Sequence, residues 1–412
     1  MKREQARRVY TLALLTGILL KGQIAGATLS PAGLNGESQT TNIEWRKDNW
    51  VTRYIPQNDF LYSDIHPSRY LERFSSFVRL PQQSCSAKSK HAPILVAVID
   101  TGIDTEHPAL QNQLWTNPGE TGIDLDGNDR SRNGIDDDNN GYVDDVHGWN
   151  FVGNNAELKD RHGHGTHISG IIVANPQNGR PSPSPCPQPI RLMVLKYFDP
   201  SDSMEFNLRN TVLAIRYATR MGAQIINYSA GGPMRNYLEE KSIRDAERRG
   251  ILFVAAAGND NNDVDQKGFF PASYGLSNIL SVTATGANDL LLAGSNFGRL
   301  RVDLAAPGQD IYSSLPENRY GPMSGTSQAT AFVTRMAAHA YLISKEKPKP
   351  ERLRQMLLRR GIRDRRLAGK TRYQVRLRET RIAAGTKAKV EPLAFSFSEP
   401  TGGTPTSNKP SL

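Results

Sequence analysis

From Ile94 to Ile99 every position is apolar. A strand with one wet face would alternate, so this unbroken run predicts a strand buried on both faces. It ends at Asp100-Thr101-Gly102, and similar runs recur at Arg191–Phe198, Ala223–Tyr228, Ile251–Ala257, Asn278–Ala284 and Arg301–Leu304. Helical spacing lies between them. Leu208, Val212, Ile215 and Met221 fall close to one face of a helix that Gly222 can end, and a second helix is predicted at Tyr237–Arg249, stopped by Gly250. A third apolar-periodic helix is predicted over 327–344. Strands alternating with helices predict an α/β fold, a mostly parallel sheet covered on both sides. In such sheets functional groups gather at the carboxyl ends of the strands, where Asp100, Ser229 and Asn259 all stand.

The segments outside this pattern are of several kinds. Residues 28–54 are polar and without apolar periodicity, Asp124–Asp145 is acidic, and Pro181–Pro189 is dominated by Pro and Ser. The tail Glu399–Leu412, rich in Pro, Gly, Thr and Ser, predicts disorder, as part of a tail over 386–412. No internal repeat is visible.

The start of the chain carries Lys2, Arg3, Arg7, Arg8 and Lys21 against Glu4, an apolar stretch from Val9 to Leu20, and then Ala25-Gly26-Ala27. Together these predict a signal peptide over 1–27 and an exported protein, periplasmic or extracellular. The stretch is too short, and too interrupted by Thr11, Thr16 and Gly17, to favour a membrane span; membrane attachment would come only through an uncleaved signal. In an exported protein Cys85 and Cys186, the only 2 cysteines, either pair or remain free thiols; both stay open.

At 412 residues, 38% hydrophobic and 22% charged, the chain has the composition of a soluble globular protein with room for one domain of about 300 residues plus tails. Its net charge of +10 is concentrated in the first residues and in the region Lys345–Lys389. The latter predicts a solvated helix face and terminal strand. No zinc-ligand spacing, RNA-binding signature or basic-aromatic stripe points to nucleic acid.

The chemistry rests on three separated residues. A serine hydroxyl becomes a useful nucleophile when a histidine accepts its proton, and that histidine needs a carboxylate to fix its tautomer. Asp100, His164 in His164-Gly165-Thr166-His167, and Ser327 in Gly325-Thr326-Ser327 offer these groups in the order Asp, His, Ser. In the acidic loop, Asp136-x-Asp138-x-Asn140-Gly141 followed by Asp144 has a spacing that wraps side-chain oxygens around structural Ca²⁺, although His147 stands where an EF-hand needs its closing Glu.

Several of these segments resemble the subtilisin-like serine proteases, the subtilases. Val98-Ile99-Asp100-Thr101-Gly102-Ile103-Asp104, with His107-Pro108, is similar to that family's aspartate segment. Asp160-Arg161-His162-Gly163-His164-Gly165-Thr166-His167 resembles its histidine segment, Met323-Ser324-Gly325-Thr326-Ser327 its nucleophile segment, and Ala255-Ala256-Ala257-Gly258-Asn259 its oxyanion segment. Ile225-Ile226-Asn227-Tyr228-Ser229-Ala230-Gly231 resembles the strand that binds substrate backbone and lines the specificity pocket. Any one of these is weak, but five in order across residues 55–345 are specific.

The resemblance implies a three-layer subtilisin-like fold, with a peptidase domain over 55–385, and a serine endopeptidase acting on protein or peptide substrates. It implies catalytic Asp100, His164 and Ser327, an oxyanion hole with Asn259 as side-chain donor, and substrate binding by Ser229, Ala230 and Gly231. Ala230 and Gly231 suggest an open pocket wall, and Asp260 reads as a solvated loop acid. An acidic insertion ending in Asn140-Gly141-Tyr142-Val143-Asp144-Asp145 looks like one in many bacterial subtilases, which supports calcium at Asp136, Asp138, Asn140 and Asp144. The family's usual calcium loop after the histidine helix looks absent, since Ala174–Pro189 is Pro/Ser-rich instead.

The chain departs from the family at Gln328-Ala329-Thr330-Ala331-Phe332, where the nucleophile segment usually continues Met-Ala and, shortly after, a proline. Pro56–Ser63 resembles the opening of the mature domain, leaving 28–54 as a short pro-region or linker and implying little autoprocessing beyond signal removal. A monomer is expected. The alternatives are a catalytically silent subtilase scaffold used for binding and a surface-adhesion module using the basic C-terminal region.

Overall fold

The computed structural model describes residues 92–378 apart from 174–175, 178–179 and 182–188, with backbone alone at 176–177 and 180–181. The signal, the pro-region, Pro56–Ser63, Cys85, Cys186 and the C-terminal tail lie outside the described residues.

Thirteen strands and six α-helices make up the described chain. The strands are β1 (Ile94–Asp100), β2 (Gly148–Asn150), β3 (Pro176–Gln177), β4 (Arg180–Pro181), β5 (Ile190–Lys196), β6 (Ile225–Tyr228), β7 (Leu252–Ala256), β8 (Ile279–Thr285), β9 (Leu304–Pro307), β10 (Ile311–Leu315), β11 (Arg319–Met323), β12 (Ile362–Arg363) and β13 (Val375–Arg376). The helices are α1 (His164–Val173), α2 (Met204–Arg220), α3 (Tyr237–Arg248), α4 (Val264–Lys267), α5 (Thr326–Leu342) and α6 (Pro350–Arg360). Nine strands form one sheet in the order β12-β13-β9-β8-β7-β6-β1-β5-β2, parallel except for the β12–β13 pair. β10 and β11 form a separate antiparallel hairpin.

The apolar run of β1 shows why the strands read as they do. Ile94, Val96 and Val98 point into a core shared with Ile168 and Ile172 of α1, Ala329 and Val333 of α5, and Leu353 and Leu357 of α6. Leu95, Ala97 and Ile99 point the other way, into a core with Ala214 and Ile215 of α2 and Ile243 and Ala246 of α3. The result is three layers, helix–sheet–helix, and period-2 alternation within β1 has become a choice between two cores. Burying one such aliphatic side chain contributes about 1.5–3 kcal/mol.

One predicted strand is displaced. Arg301–Leu304 was expected to be extended, but β9 begins at Leu304. The Arg301 N–H is taken by Asp265 Oδ1 (3.0 Å), which holds the chain in a turn, and Asp303 N–H makes the first bond to β8, at Ser281 O (3.0 Å). In the basic C-terminal region α6 buries Leu353 and Leu357 while Arg352, Arg359 and Arg360 face solvent. Among the described residues no helix is long and apolar enough to cross a membrane.

Candidate active site

Asp100 closes β1 and is 4% exposed. His164 opens α1, and the two elements are tied where they meet: Gly165 N–H donates to Thr101 Oγ1 (2.9 Å) and Ile103 N–H to Leu158 O (2.8 Å). This places His164 Nδ1 2.7 Å from Asp100 Oδ1. A carboxylate can only accept, so Nδ1 carries the proton and the lone pair sits on Nε2, on the far side of the ring. Burial opposes charge on His164, but the Asp100 carboxylate beside it, with a smaller contribution from Asp160, outweighs burial and raises its pKa above the ordinary histidine value.

The neighbouring histidines are separated by environment. His167 is fully buried, its Nε2 donates to Gly321 O (3.1 Å), and burial together with the charge of His164 pushes its pKa down to about 3. It is structural, whereas His164 is the one paired with a carboxylate.

Asp160 organises the loop before α1. Its Oδ1 accepts from Thr101 Oγ1 (2.9 Å), His162 N–H (3.0 Å) and Gly163 N–H (2.8 Å), and its Oδ2 from Thr166 N–H (2.9 Å) and Thr166 Oγ1 (2.7 Å). Burial alone would raise its pKa; these donors more than offset that and leave it lowered.

Ser327 is the second residue of α5 and is 7% exposed. A buried polar chain docks this helix on β6. Thr334 Oγ1 donates to Asn227 Oδ1 (2.8 Å), Asn227 Nδ2 to Ser229 Oγ (2.9 Å), and Ser229 Oγ to Ser327 O (3.1 Å). The Ser327 hydroxyl itself donates to Ser229 O (2.8 Å), and among the described residues no hydrogen bond joins it to His164. Catalytic hydrogen bonds commonly tighten only when substrate is bound, and a serine hydroxyl changes direction by a single torsion.

Asn259 follows β7. Its Oδ1 accepts from Thr326 N–H (2.9 Å) and Thr326 Oγ1 (3.1 Å), so both bonds fall on the carbonyl end and neither uses the Nδ2 donors. The loop is braced from behind by buried Asn296, whose Nδ2 donates to Ala257 O (2.9 Å) and whose Oδ1 accepts from the Asp260 and Asn262 N–H groups (2.9 Å each). Gly258 has φ +99°, and a Cβ there would overlap Asn296, so glycine is required. Asp260 is half-buried and its carboxylate meets Asn296 Nδ2 (3.4 Å).

Ser229, Ala230 and Gly231 lie just beyond the end of β6, and the wall they form is backed by an aromatic side chain. The Phe269 ring fills the space where a Gly231 side chain would go. No local signal could have revealed this, because Phe269 reaches Gly231 only through the fold.

The predicted metal ligands are partly brought together. Asp136 and Asp138 place carboxylate oxygens within 4.8 Å of each other and of Glu120, a residue the spacing argument missed. Asn140 Oδ1 instead accepts from Tyr142 N–H (2.8 Å), and Asp144 accepts from Gly134 N–H (3.2 Å), closing turns of the loop. Glu120 is fully buried and its Oε2 has no hydrogen-bond partner. Burial, and then the acids Asp145, Asp138 and Asp137, raise its pKa against a backbone hydrogen bond from Asp138.

The sequence profile of the subtilase family (Peptidase_S8) matches residues 92–376. The chain belongs to the subtilase family. A thermophilic serine proteinase of Bacillus sp. (strain AK1) is 34% identical over 243 residues, 59% of this chain and 51% of that protein. This subtilase thus matches about half the length of that relative. Thermitase of Thermoactinomyces vulgaris is 31% identical over 260 residues, covering 63% of this chain and 78% of thermitase. Among solved structures, a cold-adapted subtilisin-like serine proteinase has a TM-score of 0.53 at 22% identity, covering 74% of this chain and 98% of that one. The epidermin leader peptide processing serine protease (EpiP) of Staphylococcus aureus has a TM-score of 0.53 at 23% identity, covering 69% and 74%. These structures establish the shared three-layer fold.

Proposed function

We propose that this subtilase is a serine endopeptidase with Asp100, His164 and Ser327 as its catalytic triad. The observation that carries the reading is the 2.7 Å pairing of His164 Nδ1 with buried Asp100. That pairing leaves Nε2 as a base, in a fold that brings Ser327 to the start of α5 and Asn259 beside it. In this reading the Ser327 hydroxyl turns from Ser229 O, gives its proton to His164 Nε2, and its Oγ bonds to the scissile carbonyl carbon. Asp100 holds the imidazolium that forms. The oxyanion is met by Asn259 Nδ2 and the Ser327 N–H, with the N-terminal dipole of α5 behind them. Collapse of the tetrahedral species breaks the C–N bond, His164 returns the proton to the leaving amine, and water then releases the acyl group by the same route. Losing an asparagine donor of this kind costs about 10²–10³ in turnover, a range taken from subtilisin itself rather than obtained for this chain.

Peptides and unfolded protein segments are the substrates this site would take. Export, with the N-terminal 27 residues as the signal, and a monomeric state are part of the same proposal. A fluorophosphonate probe should label the wild-type protein and leave Ser327→Ala unlabelled. Equal labelling of both would put the reactive group elsewhere, and none of either would leave a silent scaffold; each overturns the reading.

Calcium is a second element, favoured by a specific observation. Glu120 Oε2 is buried without a donor and lies with Asp136 and Asp138. A hard, oxygen-seeking cation fits that donor set. Held there, it would neutralise the cluster and fix the acidic loop against the edge of the sheet, with no part in peptide hydrolysis.

A further inference from the structure

Resting on the endopeptidase reading, we propose that Phe269 is the floor of the specificity pocket and restricts the residue on the acyl side of the cleaved bond to small side chains. In a parallel sheet the natural crevice for a ligand lies between the carboxyl ends of neighbouring strands. β6 and β7 are such neighbours, paired as far as Tyr228 and Ala255. Beyond them the chain continues as Ser229–Gly232 on one side and Ala257–Asn259 on the other. The crevice opens beside the nucleophile, because Ser327 Oγ bonds Ser229 O on one wall and Thr326 bonds Asn259 on the other. A side chain attached to a carbonyl under attack would descend between these walls.

Phe269 already occupies that space. The Cε1 edge of its ring would stand 2.4 Å from a Cβ on Gly231, and the opposite edge, Cε2, 2.8 Å from a Cβ on Gly258. One ring therefore spans both walls. The two glycines make room for the protein's own aromatic group rather than for a ligand's.

The ring is firmly seated. Its backbone N–H donates to Ser273 Oγ (3.0 Å), and its carbonyl accepts from Ser273 N–H (2.9 Å). The next residue, Phe270, exchanges two backbone hydrogen bonds with Gly232, at 2.7 and 2.8 Å. The ring packs with Ala257, Val264 and Val302, and the residue is 5% exposed. Swinging it aside would open the apolar cluster beneath it. With the ring in place, the space left between the two walls suits Gly, Ala or Ser rather than a large side chain.

The test is the full-length protein against a series of peptide p-nitroanilides differing only in the residue before the cleaved bond, with active sites titrated by fluorophosphonate. Wild type should cleave after Ala at least about tenfold better, in kcat/KM, than after Phe, Leu or Met, the scale at which pocket size discriminates. In Phe269→Gly the Phe/Ala ratio should rise at least about tenfold, and in Phe269→Leu by less. The wild-type series decides the matter even if Phe269→Gly does not fold. Wild type that prefers Phe or Leu, or a ratio unchanged in a folded Phe269 variant, overturns the pocket proposal alone. Absence of labelling and hydrolysis in wild type overturns the endopeptidase reading and this proposal with it.

Discussion

Asp160 and Glu120 are both buried carboxylates, 3% and 0% exposed, yet Asp160 accepts five hydrogen bonds and Glu120 accepts one, from Asp138 N–H (3.2 Å). Loss of water penalises the charged form of each. At Asp160 the turn before α1 and two threonines replace that water with donors, and the pKa falls. At Glu120 the neighbours are other acids, and the pKa rises. Burial therefore does not decide whether a carboxylate stabilises its surroundings; the number of donors aimed at it does. Asp160 is complete as folded, whereas Glu120 keeps one carboxylate oxygen, Oε2, without a donor.

The largest expected effect is at Asp160. Asp160→Asn turns an NH₂ group toward at least two donors and should cost about 3 kcal/mol of stability. Because the same loop aims His164, kcat/KM should fall about 10²-fold. Denaturant unfolding and hydrolysis of a peptide p-nitroanilide measure the two. A variant as stable and active as wild type would break the comparison from one side.

Calcium tests the other side. A saturating cation, at 100 times its Kd, stabilises by about 2.7 kcal/mol, which for a domain of this size raises Tm by about 5 °C. Wild type should show this rise with Ca²⁺ and lose it in EDTA, and Glu120→Gln should show little of it.

The pH dependence of the calcium-free protein should carry opposite signs for the two acids. Asp160, with its folded pKa lowered, contributes stability present above the ordinary carboxylate value and lost as pH falls through the folded one. Glu120, with its folded pKa raised, binds its proton more readily folded than unfolded, so stability declines as pH rises from the ordinary value through the raised one. Calcium should abolish only the second slope. No calcium response in wild type would remove the contrast.

The smallest effect concerns His164. Its pKa lies above the ordinary 6.5, so the acid limb of kcat/KM, which reports the free enzyme's base, should be centred above pH 6.5. A limb at or below that pH would mean that Asp100 and Asp160 do not hold the imidazolium as their positions imply.

Much of the scaffold was legible because burial on both faces leaves a mark that needs no partner to read. β1, β5, β6, β7 and β8 appear as apolar runs, and Gly222 and Gly250 punctuate the ends of α2 and α3. β9 was displaced because Val302 is buried without being part of the strand: it packs with Phe269 and Ala257. The β10–β11 hairpin was missed because Tyr312, Arg319 and Tyr320 give it no two-sided core. At the site, the residues of the three expected catalytic side chains could be picked out by their local segments. Glu120, Asn296 and Phe269 could not, since each acts through contacts made far along the chain: Glu120 with Asp136 and Asp138, Asn296 with Ala257 and Asp260, Phe269 with Gly231.

The helix that begins at Ser327 is also the central support of one layer of the molecule. Along α5, Ala329, Ala331, Val333, Ala337, Ala338 and Ala340 are all inaccessible to solvent. The serine is therefore anchored to a helix buried along its length, not to an exposed fringe that frays. On heating, loss of fluorophosphonate labelling at Ser327 is expected to coincide with opening of the sheet.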